Sequence, residues 1–171
     1  MQSSYKWRLV TPTGNAQQIP GRIAYHTSCV YKDNMYLFGG NHMTSDQNDG
    51  FTDKIHYLNM RTMSWSVIRT RGDQVMIRDE HTGVVDAEST SMIIFGGFQS
   101  GERTNQTSIY NFTTNMWENV TIPNGQPVPC SRSGHSASIY NGMMYIFGGK
   151  NDSSEKLNDL WVFNIAEKKW V

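Results

Sequence analysis

The sequence predicts an all-β fold built from a repeated unit of four antiparallel strands, and three recurring features predict it. Similar apolar runs end in a glycine pair at 39–40, 96–97 and 148–149, which are 57 and 52 residues apart. Tryptophans follow the same period, with spacings of 58, 52 and 53 residues from Trp7 onward. A histidine precedes each glycine pair, and an arginine lies three or four residues before it. Since these marks keep one order, the chain contains an internal repeat of about fifty residues.

We predict structural roles for the repeated residues, because a catalytic site needs different groups that converge once. They are Gly39, Gly40, Gly96, Gly97, Gly148 and Gly149, Trp65, Trp117 and Trp170, Arg22, Arg78 and Arg132, and His26, His81 and His135.

The third unit shows the four strands most clearly. HSASIY (135–140) is followed by the tight-turn pair Asn141-Gly142, then by MMYIFGG (143–149), DLWVFN (159–164) and EKKWV (167–171). Short β-rich runs between turn residues predict strands, and Asn-Gly favours a two-residue hairpin. A four-stranded antiparallel unit repeated along a chain is typical of a β-propeller blade. The glycines that close each second strand predict a sharp turn or a close approach to a neighbouring strand.

The order arginine, histidine, Phe-Gly-Gly and tryptophan resembles the kelch repeat over essentially the whole chain. It is similar to the long-spaced repeats of kelch proteins of the leucine-zipper-like regulator and Rab-effector type. The second repeat departs from the pattern with Asp86 at a usually apolar place, and the first places Arg22 one residue further from its histidine.

The resemblance implies a kelch-type β-propeller of about three blades, half of a six-bladed ring. We assign blade 1 to 22–69, blade 2 to 78–122 and blade 3 to 132–171, with a truncated last strand. Residues 1–10 are interpreted as an orphan fourth strand of a preceding blade. Either the chain is part of a longer protein, or two copies close the ring as a homodimer in which that strand completes blade 3 of the partner.

Chain direction places the long polar loops on one face of such a propeller. In the kelch family this face commonly holds a protein partner, so the resemblance implies a scaffold or adaptor. We predict binding there, with arginines and exposed aromatics as the favoured contacts. The candidate residues are His42, Asp46, Asp49, Phe51, Arg69, Arg71, Phe98, Glu102, Arg103 and Lys150.

An enzyme is the alternative function, because some kelch propellers resemble copper oxidases or iron-dependent specifier proteins. The closest approach to a ligand cluster is His42 with Asp46 and Asp49, and neither Cys29 nor Cys130 has metal-ligand spacing. We therefore expect no catalytic residue, metal or cofactor. Equal numbers of basic and acidic residues argue against nucleic-acid or membrane partners. Two cysteines and no signal-like N-terminus favour a cytoplasmic location.

Overall fold

Three sheets of four consecutive antiparallel strands form the core of the fold, and the middle one carries a short parallel fifth strand at its edge. Three two-stranded sheets lie beside them, and this architecture confirms the all-β, blade-like prediction. The computed structural model describes residues 6–42, 51–52 and 54–171, without the side chains of residues 42, 51 and 52. The strands in chain order are β1 (Ile23–Ala24), β2 (Thr27–Tyr31), β3 (Asn34–Phe38), β4 (Asn41–His42), β5 (Phe51–Thr52), β6 (Lys54–Asn59), β7 (Ser64–Arg69), β8 (Arg71–Gly72), β9 (Val75–Met76), β10 (Thr82–Asp86), β11 (Ser91–Phe95), β12 (Phe98–Gln99), β13 (Glu102–Arg103), β14 (Thr107–Asn111), β15 (Met116–Asn119), β16 (Ser136–Tyr140), β17 (Met143–Phe147), β18 (Leu160–Asn164) and β19 (Lys169–Trp170).

Each blade is a meander in which consecutive strands pair. Blade 1 has the order β2-β3-β6-β7, blade 2 the order β10-β11-β14-β15, and blade 3 the order β16-β17-β18-β19. The first strands of the blades lie next to one another, with β10 between β2 and β16. The three blades therefore stack side by side, as propeller blades do. No helix in the described part of the chain has the length and apolarity of a membrane span.

The hairpin of blade 3 shows how local sequence sets the register. Asn141 and Gly142 both have positive φ, 48° and 68°, as a two-residue type I′ turn requires. The turn places Tyr140 opposite Met143 and brings Ser136 opposite Phe147. In blade 2 all five residues of β11 are buried, because each face of that strand contacts a neighbouring blade.

The glycine pairs lie where one blade approaches the next. Gly96 has φ +64°, and a Cβ there would lie 2.7 Å from the Arg132 carbonyl oxygen and 2.8 Å from a ring carbon of His135. The Gly97 amide donates a hydrogen bond to that same carbonyl at 2.8 Å. Any residue with a side chain at these positions would push blade 2 away from blade 3 or strain the backbone.

Each of the two interfaces between blades is centred on the phenylalanine that precedes a glycine pair. Phe38 of blade 1 packs against His81 and Trp117 of blade 2, with ring centroids 5.4 and 5.0 Å apart. Phe95 of blade 2 repeats the arrangement with His135 and Trp170 of blade 3, at 5.3 and 4.7 Å. The tryptophans therefore recur once per repeat because Trp117 and Trp170 each form a buried aromatic contact with the preceding blade.

Blade 3 leaves its outer sheet face open. Phe147 occupies the position of Phe38 and Phe95, which are 1% and 0% exposed, but Phe147 is 51% exposed. Tyr140 and Leu160 on the same face are also exposed. A Cβ at Gly148 would approach only Leu157 of its own blade, whereas Gly39 and Gly96 approach the next blade.

The interpretation of residues 1–10 as an orphan fourth strand stays a prediction, since residues 1–5 lie outside the described part of the chain. Residues 6–12 form no strand, and Trp7 is fully exposed. Within the described residues no third strand of a preceding blade is present, so this segment has no sheet edge of its own blade to join. Thr13 instead forms a parallel bridge to Ser64, the first residue of β7.

Turns and loops divide between two ends of the blades. We call the end formed by the turns at 32–33, 60–63, 87–90, 112–115, 141–142 and 165–168 the short-turn surface. The opposite end, formed by 39–42, 78–81, 96–106, 131–135 and 148–159, is the long-loop surface.

Candidate functional site

The long-loop surface carries a two-stranded hairpin that projects from blade 2. In it Phe98 pairs with Arg103 and Gln99 with Glu102. The guanidinium of Arg103 lies over the Phe98 ring, 5.7 Å from its centroid. Since Phe98 is exposed, this cation–π pair presents an aromatic ring and a positive charge together.

Hydrogen bonds fix Arg103 to the loops of two blades. Its Nε donates to the Ser133 hydroxyl at 3.1 Å, and that hydroxyl donates to a carboxylate oxygen of Glu80 at 2.7 Å. The Gly134 amide donates to the Glu80 carbonyl at 2.9 Å. Because Ser133 is fully buried, the guanidinium is held in one orientation before any ligand binds.

Adjacent loops are joined in the same manner across the rest of this surface. The Asp79 and Phe98 backbones bridge, and the Asn41 side-chain amide donates to a carboxylate oxygen of Asp79 at 3.2 Å. Ser133 bridges to Lys150 on the blade 3 side. The loops thus form one connected surface that spans all three blades.

The structure brings together four of the predicted binding residues on this surface, namely Phe98, Glu102, Arg103 and Lys150. Arg69 is the last residue of β7, and its backbone lies opposite that of Lys54 in β6. For His42 and Phe51 only the backbone is described, in β4 and β5, while Asp46 and Asp49 lie outside the described residues.

Arg71 does not join the long-loop surface, contrary to the sequence-based grouping. β8 pairs in parallel with the start of β15, and the Arg71 guanidinium donates to the Thr114 carbonyl at 3.2 Å. Thr114 belongs to the 112–115 turn, so Arg71 lies next to the short-turn surface. The linker between blades reaches across to the neighbouring blade, which chain direction alone does not indicate.

The repeated arginines of blades 2 and 3 use their donors inside the fold. Arg132 forms a bidentate pair with Asp159, with both N–O distances at 2.7 Å, and also donates to the Gly148 carbonyl. Hydrogen bonding to Arg132 lowers the pKa of Asp159 to about 2. Arg78 donates instead to Gly96 and Gln106, and burial lowers its pKa to about 10.

The repeated histidines of these blades are also buried. Burial, with the nearby Arg78 charge, lowers the pKa of His81 to about 3. Burial next to Arg132 lowers the pKa of His135 to about 4, and its Nε2 lies 2.8 Å from the Thr82 hydroxyl. Both rings are therefore neutral at pH 7. Arg22 and His26 of blade 1 are exposed, since no blade covers them.

Sequence reasoning missed Glu80 and Ser133, which orient Arg103. Each lies inside the arginine-to-histidine segment of its blade, Glu80 directly before His81 and Ser133 directly after Arg132. That repeated segment was the available signal. In the part of the chain that the structure describes, no three histidine, cysteine or acidic side chains gather as metal ligands.

Comparisons with known proteins agree with this architecture. A family model described as the KLHDC2/KLHL20/DRC7 Kelch-repeats domain matches residues 25–171. The chain is similar to Kelch domain-containing protein 3 of Homo sapiens, with 33% identity over 98% of this chain and 44% of that protein. It is also similar to the Drosophila melanogaster Leucine-zipper-like transcriptional regulator 1 homolog, with 31% identity over 91% of this chain and 16% of that protein. The human Host cell factor 1 is 28% identical over 94% of this chain and 8% of that protein. The chain thus spans less than half the length of these relatives.

Proposed function

The chain belongs to the KLHDC2/KLHL20/DRC7 Kelch-repeats domain family, and we propose that it is a protein-binding module of scaffold or adaptor type. The observation that carries the proposal is the Phe98–Arg103 pair, held by Ser133 and Glu80. A rigid aromatic and an arginine on a connected loop surface are the residue types that dominate binding energy at protein interfaces. The proposed mechanism is display, in which the blades hold this surface in its binding conformation.

The proposed location is the cytoplasm, and the cysteines support it. Cys29 and Cys130 are free thiols in the described structure. Burial raises the pKa of Cys29 to about 11, so this thiol stays protonated and unreactive at neutral pH. A reducing compartment suits such a chain.

Replacing both members of the pair, Phe98→Ala with Arg103→Ala, should reduce partner binding by about tenfold or more without unfolding the blades. The measurement is quantitative mass spectrometry of proteins captured from a cell extract by the tagged chain, followed by the affinity of each enriched partner. Arg61→Ala is the matched control, because it removes an exposed guanidinium from the short-turn surface.

If every enriched partner binds the double variant as tightly as the original chain, the long-loop surface is not the binding site. Loss of binding to Arg61→Ala alone would place the site on the short-turn surface instead.

We further propose that a second copy of the chain covers the open face of blade 3 and closes a ring. Phe147 lacks the histidine and tryptophan that cover Phe38 and Phe95. The equivalent residues of blade 1 are His26, which is exposed, and Trp65, which is half-buried next to Gly14 of the N-terminal segment. A partner would reach His26 directly and Trp65 at its exposed part. Two copies would then repeat the same interface twice about a two-fold axis.

The solution mass from light scattering after size exclusion tests this ring. We expect the mass of two chains, and of one chain for Phe147→Asp, since a buried unpaired carboxylate would disrupt the contact. Ser138→Asp, on the neighbouring strand of the same face, indicates how far the contact extends. A mass of one chain for the unaltered protein would rule out closure by a second copy.

A further inference from the structure

A groove separates blades 2 and 3 at the short-turn surface, away from the Phe98–Arg103 pair. It has a volume of about 790 Å³, which lies within the range typical of ligand sites. Its walls include Asp86, Ser91 and Ile109 from blade 2 and Ile165 from blade 3.

The internal repeat explains why the groove exists. Asp86 pairs with Ser91 at the end of the first hairpin of blade 2, as Tyr31 pairs with Asn34 in blade 1. Between blades 1 and 2 the same level is filled by Tyr31, which stacks on Phe112 with centroids 4.3 Å apart.

Between blades 2 and 3, the two stacked rings are replaced by smaller side chains. Asp86 takes the place of Tyr31, and Ile165, the residue after β18, takes the place of Phe112, the residue after β14. The loss of both rings at one level leaves a space between the sheets. Asp86, which departs from the apolar pattern in the sequence, is therefore part of a groove that both blades form.

The groove carries negative charge. Its lining contains four carboxylates (Asp73, Asp86, Glu88 and Glu118) and one ammonium group, that of Lys168, which pairs with Glu118. The formal charge of the lining is thus −3 in a chain whose net charge is zero. Arg71 lies near the outer end, with its guanidinium on the Thr114 carbonyl.

Asp86 is the buried carboxylate of this groove. It is 9% exposed, and Oδ2 accepts a hydrogen bond from the Ser89 amide at 3.1 Å. In the described part of the chain no basic side chain pairs with it. A carboxylate this buried gains most from a cation that enters the groove and donates hydrogen bonds to its other oxygen.

The length of the groove indicates the size of its ligand. Its lining draws on all five strands of the blade 2 sheet, from β10 across to β8. Four inter-strand spacings amount to about 19 Å, the length of about six extended residues. Apolar walls from Ile109, Met116 and Ile165 suit the aliphatic stem of a basic side chain.

We propose that this groove binds an extended basic segment of a partner protein, with an arginine or lysine side chain directed to Asp86. The site lies on a different surface from the proposed long-loop interface, so each can be tested without the other.

The test uses fluorescein-labelled, amidated six-residue peptides of alanine and leucine with a central arginine, norleucine or glutamate, measured by fluorescence polarisation. We expect the arginine peptide to bind and the other two to bind at least about tenfold more weakly, as for a charged hydrogen bond. Binding should weaken with salt. If the arginine peptide does not bind at millimolar concentration, or binds no better than norleucine, the proposal fails.

Two variants locate the site. Asp86→Asn keeps an acceptor for the Ser89 amide and removes only the charge, so it should weaken the arginine peptide about tenfold with an unchanged melting temperature. Asp86→Tyr with Ile165→Phe rebuilds the filled interface of blades 1 and 2 and should abolish binding in a folded protein. Unchanged affinity in both variants would show that Asp86 is only a turn residue.

Free arginine amide separates a peptide site from a small-molecule site. It should compete far more weakly than the peptide, because it spans only part of the groove. Equal competition would overturn the assignment to a protein segment.

Discussion

Replacing Gly96 with valine is expected to destabilise the protein by about 2–5 kcal/mol. The residue has φ +64°, where a β-branched side chain costs roughly 1–2 kcal/mol. The new Cβ would also lie 2.7 Å from the Arg132 carbonyl oxygen. Relieving this overpacking costs a further 1–3 kcal/mol, roughly. Equilibrium urea unfolding of the two proteins measures the difference.

Gly101→Val is the matched control for this change. Gly101 also has positive φ, +88°, but nothing lies within 4 Å of its Cβ position. It should therefore lose only the backbone contribution, about 1–2 kcal/mol. If both variants lose the same stability, the close approach of blade 3 to Gly96 contributes nothing.

Acidification from pH 7.5 to pH 5 should weaken the fold by about 2 kcal/mol for each of His81 and His135. Burial holds the pKa of these rings near 3 and 4, against 6.5 for an unfolded histidine. Below pH 6.5 the unfolded chain therefore binds more protons than the folded one, so stability is complete above this pH and falls as the pH drops towards 4. The estimate follows from about 1.4 kcal/mol for each pH unit below 6.5.

His81→Phe tests the origin of this acid sensitivity. Neither nitrogen of His81 has a hydrogen-bond partner in the described structure, and the ring packs edge-on against Phe38. Phenylalanine keeps the aromatic contact without a titrating group, so the loss of stability between pH 7.5 and 5 should fall by about half. His26→Phe, at the exposed equivalent position, is the control for replacing an imidazole. A variant as acid-sensitive as the original protein would contradict the assignment to His81.

The sequence predicted the blades because the residues that specify them act locally and repeat. The Asn141-Gly142 turn sets one hairpin by its own backbone preference. The Phe-Gly-Gly ends and the tryptophans recur once per blade, since each blade must offer the same face to the next. This is why spacing alone was enough to place Phe38, Phe95, Trp117 and Trp170 in equivalent positions.

The candidate site was predicted less completely. Chain direction grouped Phe98 with Arg103, and in the structure the two residues lie opposite each other in the hairpin of β12 and β13. It did not reveal that Ser133 of the next blade orients Arg103, nor that β8 carries Arg71 to the 112–115 turn. Those contacts join residues of different blades, so a sequence pattern that repeats within each blade cannot predict them.

By itself the sequence determined the repeat, the strand order within a blade and the places where only glycine fits. Tertiary structure decided what lies between blades: the burial of Phe95, the exposure of Phe147, and the groove that Asp86 and Ile165 leave. The reason is physical. Hairpins and turns follow from neighbours along the chain, whereas a space or a contact between two sheets depends on the side chains that both sheets place at the same level.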